Sequence, residues 1–146
     1  MTWAQATTHQ AKPRKLTNTD ADYAEYVVKS GHTIYKNTLV VFEDSSGLTG
    51  YVTYAENAAS ETFAGVAATT VTGDGTATIK VYRKGFFEFV KDTPAITDVG
   101  TEFYCDGGSS GTDATVQSGT TTGCKVGMCV GYKTSNLVLS IDGYCP

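Results

Sequence analysis

Four cysteines, two histidines and a few glycine-flanked aspartates are the residues whose types could do chemistry here. Cys105, Cys124, Cys129 and Cys145 are separated by 18, 4 and 15 residues. Those gaps do not match the close Cys pairs of a zinc site. On a regular strand Cys124 and Cys129 would also point to opposite faces. Reduced thiols and one or two disulfides both fit the count. All four lie in the last 42 residues, so any bridge would staple the C-terminal sheet, and it would need an oxidising medium. His9 and His32 have no recognisable partner for general-base work, and no Gly-x-Ser-x-Gly is present. Gly73-Asp74-Gly75-Thr76 is too short for a phosphate loop and reads as a turn, as does Asp106 before Gly107-Gly108. Arg83-Lys84 is one small basic spot. The residues therefore predict no enzyme, with no catalytic, metal or cofactor-binding residues and no cofactor.

The elements that must carry these residues are strands. Thr (24) and Gly (16) are the commonest residues of the 146, Val and Ala follow at 14 each, and Leu is only 5. That balance favours β-branched strand formers over helix formers. Strand-like runs are expected at Leu39–Glu43, Leu48–Tyr54, Thr62–Ala68, Ala77–Tyr82, Gly85–Val90, Glu102–Cys105, Ala114–Gln117, Lys125–Tyr132 and Leu137–Asp142. Turn signals separate them: Asp44-Ser45-Ser46-Gly47, Gly73-Asp74-Gly75 and Thr134-Ser135-Asn136. Arg83-Lys84-Gly85 reads as a tight turn or bulge between two strands. Ile79 and Val81 share one face, and Leu137, Leu139 and Ile141 share the core face of the last strand. The Gly/Ser/Thr-rich span 106–123 reads as a hairpin with a long exposed insertion, or as two loops around Ala114–Gln117. The expectation is one compact all-β domain over residues 31–146, a β-barrel or a β-sandwich.

Residues 1–30 show no sustained period and read as an extended N-terminal arm. A short helical stretch over Asp20–Val28, capped by Asp20 or Asp22, is one option for its end. Residues 1–36 hold 5 Lys/Arg against 3 Asp/Glu, and the rest holds 6 against 12. A mildly basic arm thus precedes an acidic body, with net charge −4 overall. The acidic balance disfavours nucleic acid as a partner. No run of 18 apolar residues and no secretory signal pattern is present, which predicts no membrane span and synthesis in a cytoplasm.

One ordered set of segments resembles a known family. It runs Gly31-His32-Thr33-Ile34-Tyr35-Lys36-Asn37, Leu39-Val40-Val41, and Phe63-Ala64-Gly65-Val66-Ala67. It continues with Val81-Tyr82-Arg83-Lys84-Gly85-Phe86-Phe87-Glu88-Phe89, Val99-Gly100-Thr101-Glu102-Phe103-Tyr104, and Val126-Gly127-Met128-Cys129-Val130-Gly131-Tyr132. Over residues 27–142 the chain resembles the capsid decoration, or cement, proteins of tailed bacteriophages. The resemblance implies a structural virion protein made in the host bacterial cytoplasm and bound to the outer surface of the expanded head. Its implied partners are the major capsid protein and itself, as a homotrimer or alternatively a dimer. On this reading Trp3, Lys12, Arg14, Lys15, Tyr23 and Tyr26 are capsid-contact candidates. Phe86, Phe87 and Phe89, from a run apolar on both faces, are oligomer-interface candidates. The cysteines and the 106–123 span lie outside the family pattern. A head- or tail-attached receptor- or carbohydrate-binding module is the alternative, and it would need an exposed cluster of Trp or Tyr beside carboxylates.

Overall fold

The computed structural model describes residues 12–14, 23–55, 62–91, 93–105, 116–118, 124–134 and 136–142. Thirteen strands are present among them: β1 (Lys12–Arg14), β2 (Tyr23–Val28), β3 (Thr33–Ile34), β4 (Leu39–Asp44), β5 (Leu48–Tyr54), β6 (Thr62–Ala67), β7 (Val71–Thr72), β8 (Thr78–Tyr82), β9 (Lys84–Phe89), β10 (Glu102–Cys105), β11 (Val116–Gln117), β12 (Lys125–Lys133) and β13 (Asn136–Asp142). One 3-10 turn, Ile96–Asp98, is the only helical element of the described residues. The all-β reading stands, with a closed barrel and an open sheet packed together. Strands β2-β5-β4-β6-β8 close a five-stranded barrel, and β1-β9-β13-β12-β10-β11 form a six-stranded sheet.

The two layers share a wall. On β4, Val40 joins the barrel core, whereas Leu39 and Val41 join the core between barrel and sheet. The sheet answers with Phe87, Phe89, Phe103, Leu137, Leu139 and Ile141, all buried. Burying both faces of β4 matches its continuous apolar run, Leu39-Val40-Val41-Phe42. Strand β6 does the same through a bulge. Val40 pairs with Gly65, but Val41 pairs with Phe63, leaving Ala64 as the extra residue. The insertion lets Phe63 and Val66 both face the sheet while Ala64 and Ala67 both face the barrel core. Gly65 is required there. Its φ is +151°, and a Cβ would overlap the Tyr82 carbonyl oxygen and press on Val81 Cγ1 at 2.7 Å.

Three expectations are corrected. Tyr23–Val28, assigned to the arm and offered a helical option, is β2, a barrel stave paired antiparallel with β8 and parallel with β5. Its alternation, with Tyr26 and Val28 against the barrel core, is a strand period in a stretch whose capping aspartates suggested a helix. Arg83 is the crossing from barrel strand β8 to sheet strand β9 rather than a hairpin turn. Cys124 and Cys129 both lie on the core face, because a register shift at Val126 interrupts the alternation of β12 between them. The turn role of Asp74 holds: its Oδ1 accepts from the Thr76 amide at 2.8 Å and the Ala77 amide at 2.7 Å. These amides hold the exposed Asp74 carboxyl below its ordinary value.

Gly65→Ala is expected to lower folding stability by about 2–4 kcal/mol through overlap and an unfavourable φ. The check is a urea titration, with the midpoint falling at unchanged slope.

Candidate docking surface

The seam between barrel and sheet is organised by Arg83. Its Nε donates to the Ala64 carbonyl at 3.1 Å, and its Nη1 donates to the Tyr26 hydroxyl at 2.8 Å. The guanidinium lies 5.4 Å from the Phe42 ring centroid and 5.9 Å from that of Tyr26. Tyr26 and Phe42 meet edge to face at 5.2 Å. Alongside, Tyr23 packs on Tyr82 at 4.5 Å, and the Lys80 ammonium sits over the Tyr23 ring. The hydrogen bond with Tyr23, followed by burial, pushes the Tyr82 hydroxyl up to about 12. Tyr23 and Tyr26 are therefore structural members of the barrel wall, not parts of a free arm.

A cavity of about 250 Å³ opens beside Arg83, lined also by Phe63, Val126, Met128, Glu102 and Lys125. Lys125 Nζ and Glu102 Oε1 pair at 2.9 Å across its rim, and both are about half exposed. The hydrogen bond that Lys125 donates to the Glu102 carboxylate raises its ammonium above its ordinary value. An apolar floor with charges of both signs at the rim is the chemistry of a pocket for an amphipathic side chain.

The outward face of the six-stranded sheet is the larger surface. In register across it stand Phe86, Ser140, Met128 and Glu102, and in the next row Glu88, Val138 and Gly131. Met128 and Val130 are each 46% exposed. Glu88 is nearly buried and ion-paired with Lys133. Of the interface candidates, Phe87 and Phe89 are fully buried in the core under the sheet, so neither can face a partner. Only Phe86 points outward, half-buried. The alternation of β9 decides this, and a run apolar on both faces concealed it.

The remaining candidates divide. Lys12 and Arg14 lie on β1, which pairs with β9 in the register Lys12↔Glu88 and Arg14↔Phe86. Residues 12–14 are thus joined to the module at a sheet edge beside the outward face. Trp3, Lys15 and His9 lie outside the described residues, as do Asp106, Cys145, Asp20 and Asp22. His32, given no partner by the sequence, is half-buried: its Nδ1 is 2.6 Å from Thr53 Oγ1, and its ring stacks on Tyr54 at 4.9 Å. Asp98, which sequence reasoning did not single out, is buried at the 3-10 turn. Lys91 Nζ lies 2.9 Å from its Oδ1, and the Ala95 amide donates to Oδ2 at 2.9 Å. Burial alone would raise this carboxyl, but Lys91 and the Ala95 amide outweigh it and hold it below its ordinary value. The acidic residue two positions before Gly100 in a turn was its sequence signal.

Among the described residues, no group of three His, Cys, Asp or Glu side chains is placed to hold a metal ion. No helix of the described residues is long and apolar enough to cross a membrane. Comparisons with protein-family models, curated proteins and solved structures returned no match.

Arg83→Ala is expected to cost about 2–4 kcal/mol, since it strips the Ala64 carbonyl and the Tyr26 hydroxyl of a donor and uncovers two rings. Arg83→Lys should recover only part of the loss, because an ammonium lacks the guanidinium fork. Chemical denaturation of both variants measures it.

Asp98→Ala is expected to cost about 1–3 kcal/mol at neutral pH. Because the folded carboxyl titrates below its ordinary 3.8, its contribution is complete above that pH and disappears as pH falls through the folded value. Stability measured against pH should therefore bring wild type and variant together in acid.

Proposed function

We propose that the protein is a structural virion protein that binds the outer surface of a tailed-phage capsid and cements the expanded head. The observation that carries this reading is the position of Lys12–Arg14. A basic segment joins the module along the β9 edge, beside an outward sheet face bearing Phe86, Met128 and Val130. Body and arm then make two linked contacts, each weak alone, whose combination is strong. The segments that resemble decoration proteins also fall on the frame of the fold: Leu39–Val41 and Phe63–Ala67 on the shared wall, Val81–Phe89 across the seam, and Val126–Tyr132 on β12. The partners are the major capsid protein and further copies of this chain, in the homotrimer implied by the resemblance. With Phe87 and Phe89 in the core, Phe86 and its outward neighbours remain for contacts between copies.

The test uses undecorated expanded heads of the encoding phage, with the full chain and a variant lacking residues 2–22, which spares β2. The full chain is expected to sediment with the heads at saturating stoichiometry. The shortened chain should bind at least about tenfold more weakly, with a shallower dependence on salt. Failure of the full chain to bind overturns the reading, and equal binding by both chains at every salt concentration removes the arm from it. Binding to host cells or glycans instead would favour the receptor-binding alternative.

A further inference from the structure

We infer that Cys105 and Cys124 form a built disulfide site that locks β10 to β12 when the protein meets an oxidising medium. The pairing Tyr104↔Lys125 places Cys105 directly across from Cys124, and the Cys105 amide donates to the Cys124 carbonyl at 2.8 Å. Opposed residues of a hydrogen-bonded antiparallel pair have Cα atoms about 5.5 Å apart, inside the range of about 4.4–6.8 Å that a disulfide spans. Both side chains are buried in the same core cluster, so both point to the same face.

Cys129 has no such neighbour among the described cysteines. It is five residues along the strand from Cys124, roughly 16 Å at about 3.3 Å per residue. Its amide bonds Thr101, four residues before Cys105, at 2.9 Å.

The reaction is thiol–disulfide exchange with a small-molecule disulfide such as oxidised glutathione. One cysteine thiolate attacks the glutathione disulfide, forming a mixed disulfide and releasing one glutathione thiolate. The second cysteine loses its proton and attacks the protein sulfur of that mixed disulfide. The Sγ–Sγ bond forms, the second glutathione leaves, and the two protein thiols have passed two electrons to the oxidant. The bond closes the span 106–123 at its base. The timing rests on the proposed function: a head assembled in a reducing cell and released into an oxidising medium would gain this lock after release. The chemistry does not depend on that reading.

The test uses the full chain, both held folded and refolded from urea, in a buffer of reduced and oxidised glutathione. Denaturing alkylation and trypsin then give a peptide 92–125 containing both cysteines and neither of the other two. Under either regime this peptide is expected to escape alkylation and to be two hydrogens lighter than its dithiol form. The thermal midpoint of oxidised protein should exceed that of reduced protein by roughly 5 °C or more. That difference should vanish in Cys124→Ala and persist in Cys129→Ala; comparing redox states within each variant removes any cost of the substitution itself. Full alkylation of peptide 92–125 under both regimes overturns the inference. So does its cross-linking to peptide 126–133 or 134–146, which carry Cys129 and Cys145. Capsid binding enters none of these readouts, so failure here and failure of the proposed function are separable.

Discussion

The double-sided burial of β4 and β6 is the constraint on which the rest of the structure depends. Each strand belongs by hydrogen bonding to the barrel, yet each also supplies the floor on which the six-stranded sheet rests. A strand in that position cannot alternate apolar and polar residues. Strand β4 meets the demand with an apolar run, and β6 meets it with small residues and a bulge. The small residues let the neighbouring layer come close, and the closeness at Gly65 excludes any side chain there. Sheet and barrel are therefore one packed unit, and a distortion of β6 reaches both cores.

The seam follows from this wall. Where β8 leaves the barrel and β9 enters the sheet, the chain must cross between layers, and the crossing exposes the Ala64 carbonyl and two aromatic rings of the barrel. Arg83 covers all three with one side chain: its fork meets two acceptors and its plane lies near the Tyr26 and Phe42 rings. A residue that the sequence presents as a small basic spot is in the structure the clasp between layers. Its guanidinium is turned onto the barrel wall, against the Ala64 carbonyl and the Tyr26 and Phe42 rings.

Much of the fold was legible in the sequence because nine strands carry the alternation or the apolar run that burial demands. Leu48–Tyr54 and Glu102–Cys105 coincide with β5 and β10 residue for residue. The inward set Leu137, Leu139 and Ile141 was readable because the outward face of β13 is polar enough to mark the period. The strands that escaped notice had weak signals. Strands β3 and β7 have two residues each, too few for any period, and β1 contains Pro13, which suits only an edge. Strand β2 was masked by aspartates that mimic a helix cap. The docking surface was less legible still. Which of Phe86, Phe87 and Phe89 faces out depends on phase, and a run of aromatic residues carries none. The shared face of Cys124 and Cys129 depends on one bulge at Val126, which inserts a residue without leaving a composition signal.

Both edges of the six-stranded sheet end in very short strands, β1 with three residues and β11 with two. An uncovered β9 would present unpaired backbone groups next to the apolar outward face, the arrangement that invites indiscriminate strand addition. Three residues of β1 blunt that edge, but three pairs are a weak hold compared with the six pairs joining β9 to β13. Under the proposed capsid binding, a surface that drew the basic segment toward itself would work against this small opposing term. The arm would then contribute its new contacts minus the pairing of Lys12–Arg14 with β9. An arm that kept that pairing while bound would lose nothing, and the proposed partner would then have to lie against the outward sheet face, within reach of Phe86. On that reading the sheet edge ties where the arm binds to which face of the module the partner covers.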